Sequence, residues 1–105
     1  MKAFSIDRYA KGSALSLVER PEPELRDNDV MIEIHAASVN PLDGKIRDGE
    51  FKLLLPYKFP LVLGCDLAGI VVRAGTKVRR FKPGDQVYAR TAKDRIGTFA
   101  EYIAV

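Results

Sequence analysis

The sequence predicts a mainly β fold, barrel-like or sandwich-like, with short helices. Two observations predict it. Short apolar runs recur along the chain, the clearest of them with the two-residue alternation of a half-buried strand. Gly and Pro turns separate these runs at regular spacing, the pattern of a sheet that closes on itself or packs on a second sheet.

Taken in order, residues 1–6 (MKAFSI) alternate and read as a first strand. Gly12 marks the turn after it, and residues 14–20 (ALSLVER) read as the returning arm of a hairpin. Pro21 and Pro23 open a polar, extended loop. Residues 30–39 (VMIEIHAASV) form the clearest strand, with Val30, Ile32, Ile34 and Ala36 on one face and Met31, Glu33 and His35 on the other. A short helix of about two turns follows. Asn40 suits its N-cap, Pro41 its first position and Asp43 its third, Gly49 ends it, and Gly44 weakens its middle. Asp43 and Arg47, four apart, are expected to pair on its surface.

Residues 50–60 (EFKLLLPYKFP) read as a loop with an apolar tether, broken at Pro56 and Pro60. Within residues 61–75 (LVLGCDLAGIVVRAG) the part from Leu67 reads as a strand ending at Gly75. Gly69 inside it implies a bulge or the close approach of another backbone. Pro83 and Gly84 suit the central positions of a type II turn leading into a strand over residues 86–90. A polar loop and a last strand over residues 99–105 complete the chain.

With 105 residues, 47% of them apolar and 30% charged, a single globular domain over residues 1–105 is expected, large enough to bury a core without metals or disulfides. The one Cys excludes an internal disulfide and fits a reducing compartment, so the cytoplasm is the expected location. No apolar run reaches membrane-spanning length, and the N-terminus has no secretory pattern. The basic cluster at residues 77–82 (KVRRFK) reads as a solvated turn; no nucleic-acid-binding signature accompanies it. The chain ends within an apolar strand, so it is expected to be one domain of a longer protein, with apolar surface that favours association.

The chemistry of the side chains narrows the function. One Cys and one His are too few for a structural zinc and give no catalytic ligand spacing, so no metal is expected. Cys65 reads as a buried thiol; Asp66 beside it would raise its pKa. His35 reads as a residue of the polar strand face. Neither a phosphate loop nor a G-x-G-x-x-G turn is present, so no complete dinucleotide site lies in this chain.

Three motifs occur in order: P-x-x-x-G-x-D-x-A-G from Pro60, P-G-D-x-V from Pro83 and G-x-x-A-E-Y from Gly97. With SVNPLDGKIRDG at residues 38–49 they resemble the N-terminal catalytic domain of the medium-chain dehydrogenase/reductase family, in its zinc-free quinone and enone oxidoreductase branch. The resemblance spans essentially the whole chain. It implies a GroES-like, partly open β-barrel, followed by a Rossmann domain that binds NADPH and is absent from this chain. It also implies a homodimer in the full-length protein, and a small-molecule quinone or enone as substrate, with no nucleic-acid or membrane partner. Asn40 and Cys65 stand where zinc-dependent members carry a Cys and a His ligand, which implies no zinc. Lys45 two residues after Asp43 resembles the enone-reductase branch.

The implied reaction is hydride transfer from NADPH, with hydrogen-bond donors in place of zinc at the carbonyl oxygen. Asn40 and Lys45 are the implied catalytic and cofactor-binding residues, and Tyr57 and Asp43 the implied substrate-binding ones. Asn40 also serves as a helix cap, Asp43 as a helix-end partner and Lys45 as a solvated helix lysine; Tyr57 and Phe99 also suit packing. Two other readings stand beside this one. One is an isolated GroES-like binding or oligomerisation module, since fold does not fix function. The other is half of a zinc-dependent alcohol dehydrogenase.

Overall fold

A computed structural model describes all residues from Met1 to Val105. Seven strands and one helix follow in the order β1 (Lys2–Ile6), β2 (Ser16–Glu19), β3 (Val30–Ala36), α1 (Pro41–Asp48), β4 (Leu61–Val62), β5 (Asp66–Ala74), β6 (Gln86–Arg90) and β7 (Tyr102–Ala104). They build a three-stranded sheet, β2-β1-β4, and a four-stranded sheet, β6-β5-β3-β7. All pairings are antiparallel. The predicted β1–β2 hairpin is present, with Lys2 opposite Glu19.

The sheets are not closed into a barrel. They meet through a single bridge between Ala3 and Ala100, flanked by Phe4 N–H donating to the Phe99 carbonyl at 2.8 Å. The chain changes sheets for the third time between β4 and β5, through Leu63, Gly64 and Cys65. That crossing is tight. Gly64 has φ +107°, and a Cβ there would lie 2.2 Å from Thr98 Oγ1 and 2.8 Å from the Phe99 nitrogen. Only glycine meets both demands.

Two apolar clusters hold the fold. Ile6, Leu61, Leu63 and Cys65 enclose Ile46 of α1 beneath the smaller sheet. Ile46 and Leu42 are four apart, so one face of the helix packs inward. Burying Ile46 contributes about 2–3 kcal/mol. Val30, Ile32, Leu67, Val71 and Ile103 form the second cluster against the larger sheet.

The alternation predicted for β3 applies only to part of it. Val30, Met31 and Ile32 are all buried, so its first half is covered on both sides, while Glu33 is half-buried and His35 exposed. A register shift between Ile34 and Ala36 leaves His35 outside the ladder. Gly69 lies opposite, where a Cβ would come within 2.2 Å of the Glu33 carbonyl oxygen, which is the predicted close approach. The turn at Pro83–Gly84 also forms, with Gly84 at φ +96° and Asp85 N–H donating to the Lys82 carbonyl at 3.1 Å.

Three expectations need correction. The last strand is shorter than residues 99–105, because Phe99 and Glu101 spend backbone groups on Leu63 and Lys2. β4 arises within a run that showed no alternation, through pairing with Ser5 and Ile6. Arg47 pairs with Asp48 at 3.0 Å rather than with Asp43, whose carboxyl is buried under the helix.

Candidate active-site edge

The strand β3 runs out at Ala36, and α1 begins five residues later at Pro41. Asn40, at φ −113° and ψ 159°, is the extended residue between them, and Pro41 follows as the first helical residue. Asp43 Oδ2 accepts the Asn40 backbone N–H at 2.8 Å, which satisfies a donor at the helix start. At the other end Gly49, φ +85°, donates its N–H to the Ile46 carbonyl and closes the helix.

Asn40 does more than cap. Its side-chain Nδ2 donates to Asp66 Oδ2 at 2.7 Å. Ser38 donates both its backbone N–H (2.9 Å) and its hydroxyl (2.8 Å) to Asp66 Oδ1. Three donors thus converge on one carboxylate at the start of β5. The Asn40 amide, then the two Ser38 donors, hold the Asp66 carboxyl below its ordinary pKa.

Cys65, the residue before, faces the opposite way. It is 5% exposed, and its thiol donates to Asp43 Oδ1 at 3.5 Å. Burial, reinforced by the Asp43 charge, pushes the thiol pKa up to about 11. The expected inert thiol is therefore present. His35 pairs with Glu33 at 2.8 Å on the exposed strand face.

The structure brings Asn40, Asp43, Cys65 and Asp66 into one connected set. Lys45 stands on the same helix with an exposed side chain and no ion pair. Tyr57 makes no hydrogen bond to this set, though it lines a small pocket with Cys65. Its ring packs against the first apolar cluster, its hydroxyl donates to the Lys93 carbonyl, and burial raises its pKa. Phe99 packs against the same cluster, as expected.

Two members were not singled out from the sequence as site residues. Ser38 and Asp66 were both within quoted motifs, but nothing local links residues 28 apart. They border an open cleft of about 590 Å³ with Ala36, Ala68, Tyr88 and Arg90. No group of three or more His, Cys, Asp or Glu side chains is arranged to hold a metal.

An open pair of antiparallel sheets with a polar strand-to-helix edge is the architecture of a GroES-like domain. Residues 26–105 match the family described as alcohol dehydrogenase GroES-like domain, and the chain belongs to that family. Within it, the chain is similar to quinone oxidoreductases. It is 43% identical over 103 residues to a chloroplastic quinone-oxidoreductase homolog of Spinacia oleracea, covering 97% of this chain and 31% of that protein. An NADPH-dependent alkenal/one oxidoreductase of Arabidopsis thaliana is 38% identical over 112 residues, covering 100% of this chain and 29% of that protein. The quinone oxidoreductase structure from Coxiella burnetii superposes with a TM-score of 0.84 at 36% identity, covering 99% of this chain and 34% of that one. The chain thus spans about a third of the length of these relatives.

Proposed function

We propose that this chain is the substrate-side domain of an NADPH-dependent oxidoreductase that reduces quinones and α,β-unsaturated carbonyl compounds without zinc. The supporting observation is the division of labour at the strand-to-helix edge. Cys65 and Asp66, which zinc chemistry would need, are directed to Asp43, Ser38 and Asn40. A thiol held near pKa 11 and a carboxylate accepting three hydrogen bonds make a poor set for a cation. Lys45 is exposed on the helix that Asn40 caps.

A nicotinamide, when bound, supplies the hydride that reaches a quinone ring or the β-carbon of an enone. The residues present fit such a group: a free ammonium at Lys45 and an amide at Asn40 are donors that ribose hydroxyls and a carboxamide accept. In the reaction, Lys45 offsets the negative charge that develops on the carbonyl oxygen. Asn40, fixed through Asp66, keeps its second amide N–H for the same oxygen or for the ribose. Asp43 acts on the substrate side through the backbone of Asn40, and Tyr57, which shares a small pocket with Cys65, borders that side from the 50–60 loop.

Most of the cofactor contacts belong to a Rossmann domain following this one in a cytoplasmic homodimer, and neither nucleic acid nor membrane is a partner. The free Cys65 supports the reducing compartment. The test begins with the reading frame beyond Val105. The complete gene product should oxidise NADPH with a quinone or an enone and carry no stoichiometric zinc. Lys45→Ala should lower kcat/KM for enones by about tenfold or more while circular dichroism stays unchanged. A stop codon directly after Val105, or a complete protein inert toward both acceptors, overturns the proposal.

A further inference from the structure

A second concavity, larger than the cleft at Asp66, opens on the other side of the Ala36–Ala37 ridge. It measures about 750 Å³, within the roughly 300–1,000 Å³ of small-molecule sites. Its lining is apolar: Phe4, Leu15 and Leu17 from the first hairpin, Ile34 from β3, Val39 and Phe99. Phe4, Leu17 and Val39 are 46%, 60% and 80% exposed, so the surface is open to a ligand. Of the polar groups that line it, the Lys2 ammonium has no ion pair, while two others have partners. Glu101 accepts the Lys2 N–H, and His35 pairs with Glu33. The lining therefore rewards hydrocarbon over most of its surface.

The groove shares a wall with the cleft of the candidate site. Ala36 and Ala37 line both the groove and the Asp66 cleft. Val39 lines the groove, and the next residue is Asn40. Adjacent Cα atoms are about 3.8 Å apart, so the backbone of Asn40 lies directly beside that of Val39.

We propose that this groove holds the apolar tail of the substrate, and that the substrates are carbonyl compounds with a long hydrocarbon chain: alkyl- or prenyl-substituted quinones and long-chain enones. This inference rests on the reductase reading of the Asn40 edge. The carbonyl head lies at Asn40 and Lys45, and the tail passes Val39 onto Phe4 and Leu17. Each methylene removed from water tightens binding by up to about fourfold.

The test uses the 105-residue chain itself, labelled with nitrogen-15 and titrated with 2-decanone and 2-hexanone while amide NMR shifts are followed. These ketones are unreactive, so binding is read without cofactor or turnover. The expected result is that 2-decanone shifts the amides of Phe4, Leu17 and Val39 and binds at least about tenfold more tightly than 2-hexanone. Leu17→Glu and, separately, Val39→Asp place a charge at exposed positions and should abolish the length dependence, with the rest of the spectrum unchanged. Shifts confined to other surfaces, equal affinity for the two ketones, or wild-type behaviour in both variants overturns the tail groove. Failure of NADPH oxidation by the complete gene product would instead overturn the reductase reading and leave the tail-length result standing.

Discussion

Asn40 Nδ2 donates to Asp66 Oδ2 over 2.7 Å, joining a helix cap to the first residue of a strand 26 positions away. The bond depends on Asp66 being ionised. Its pKa is lowered in the folded chain, first by Asn40 and then by Ser38. A carboxyl with a depressed folded pKa stabilises the fold above its unfolded pKa of about 3.9, and that stability is lost as the pH falls through the lower folded value. Asp66→Asn should therefore lower the melting temperature at pH 7, and the difference from wild type should shrink below about pH 4. Thermal melts across that range check it; a difference independent of pH would mean that shape rather than charge at Asp66 matters.

Cys65 offers a chemical probe of the same edge. With its thiol pKa near 11, only about 0.1% is thiolate at pH 8. Iodoacetamide should leave the folded chain essentially unmodified at pH 8 and alkylate it rapidly in urea. Mass spectrometry reads the difference. Rapid alkylation without denaturant would show that the thiol opens to solvent more readily than its burial between Asp43 and the Ile6–Leu61 cluster implies.

Local pattern made much of this molecule legible. β1, β2, β3, β5 and β6 announce themselves through alternation or β-branched runs, and α1 through Asn40, Pro41 and Gly49. The long-range chemistry was less visible. β4 has two residues and exists only because Ser5 and Ile6 lie beside it. The spacing of Asp43 and Arg47 suggested a surface pair, yet Asp43 points inward to cap Asn40 and accept from Cys65. The convergence of Ser38 and Asn40 on Asp66 depends on the sheet crossing at Gly64, and no local periodicity encodes that. The family resemblance directed attention to Asn40 and Lys45; the geometry adds Ser38 and Asp66 to them.

Gly69 tests the packing of the larger sheet. A methyl group there would lie 2.2 Å from the Glu33 carbonyl oxygen and 2.8 Å from Ile32 Cγ2. The first neighbour is backbone and cannot turn aside. Gly69→Ala should lower stability by about 3 kcal/mol, at the upper end of overpacking costs. At Gly84 the added methyl would meet open space, so Gly84→Ala bears only the positive-φ penalty of roughly 1–2 kcal/mol. Urea unfolding of both variants should rank Gly69→Ala as the more damaging. The reverse order would show that the β3–β5 ladder relaxes around the bulge at His35.

Arg95 and Asp29 form the most enclosed ion pair in the chain. Arg95 Nη1 and Nη2 donate to the two Asp29 oxygens at 3.1 and 3.0 Å, and Nη2 also reaches the Ala104 carbonyl at 3.3 Å. The fork ties the loop after β6 to the start of β3 and to the end of β7. The Asp29 side chain is 7% exposed and that of Arg95 37%, so solvent screens one partner. Breaking a fully buried pair costs about 3–5 kcal/mol; half-screened, Asp29→Asn should cost about 2 kcal/mol at pH 7. The hydrogen bond from Arg95 is the main reason the Asp29 pKa is lowered. Its stabilisation is present above about pH 4 and lost as the pH falls through the folded value. Urea unfolding should therefore separate Asp29→Asn from wild type at pH 7 and bring them together toward pH 2. Arg95→Met, which keeps the length of the side chain without its donors, should give a comparable loss at pH 7. If Arg95→Met is neutral while Asp29→Asn is not, the stabilising contact of the Asp29 carboxylate is the one from the Arg26 backbone N–H rather than the ion pair.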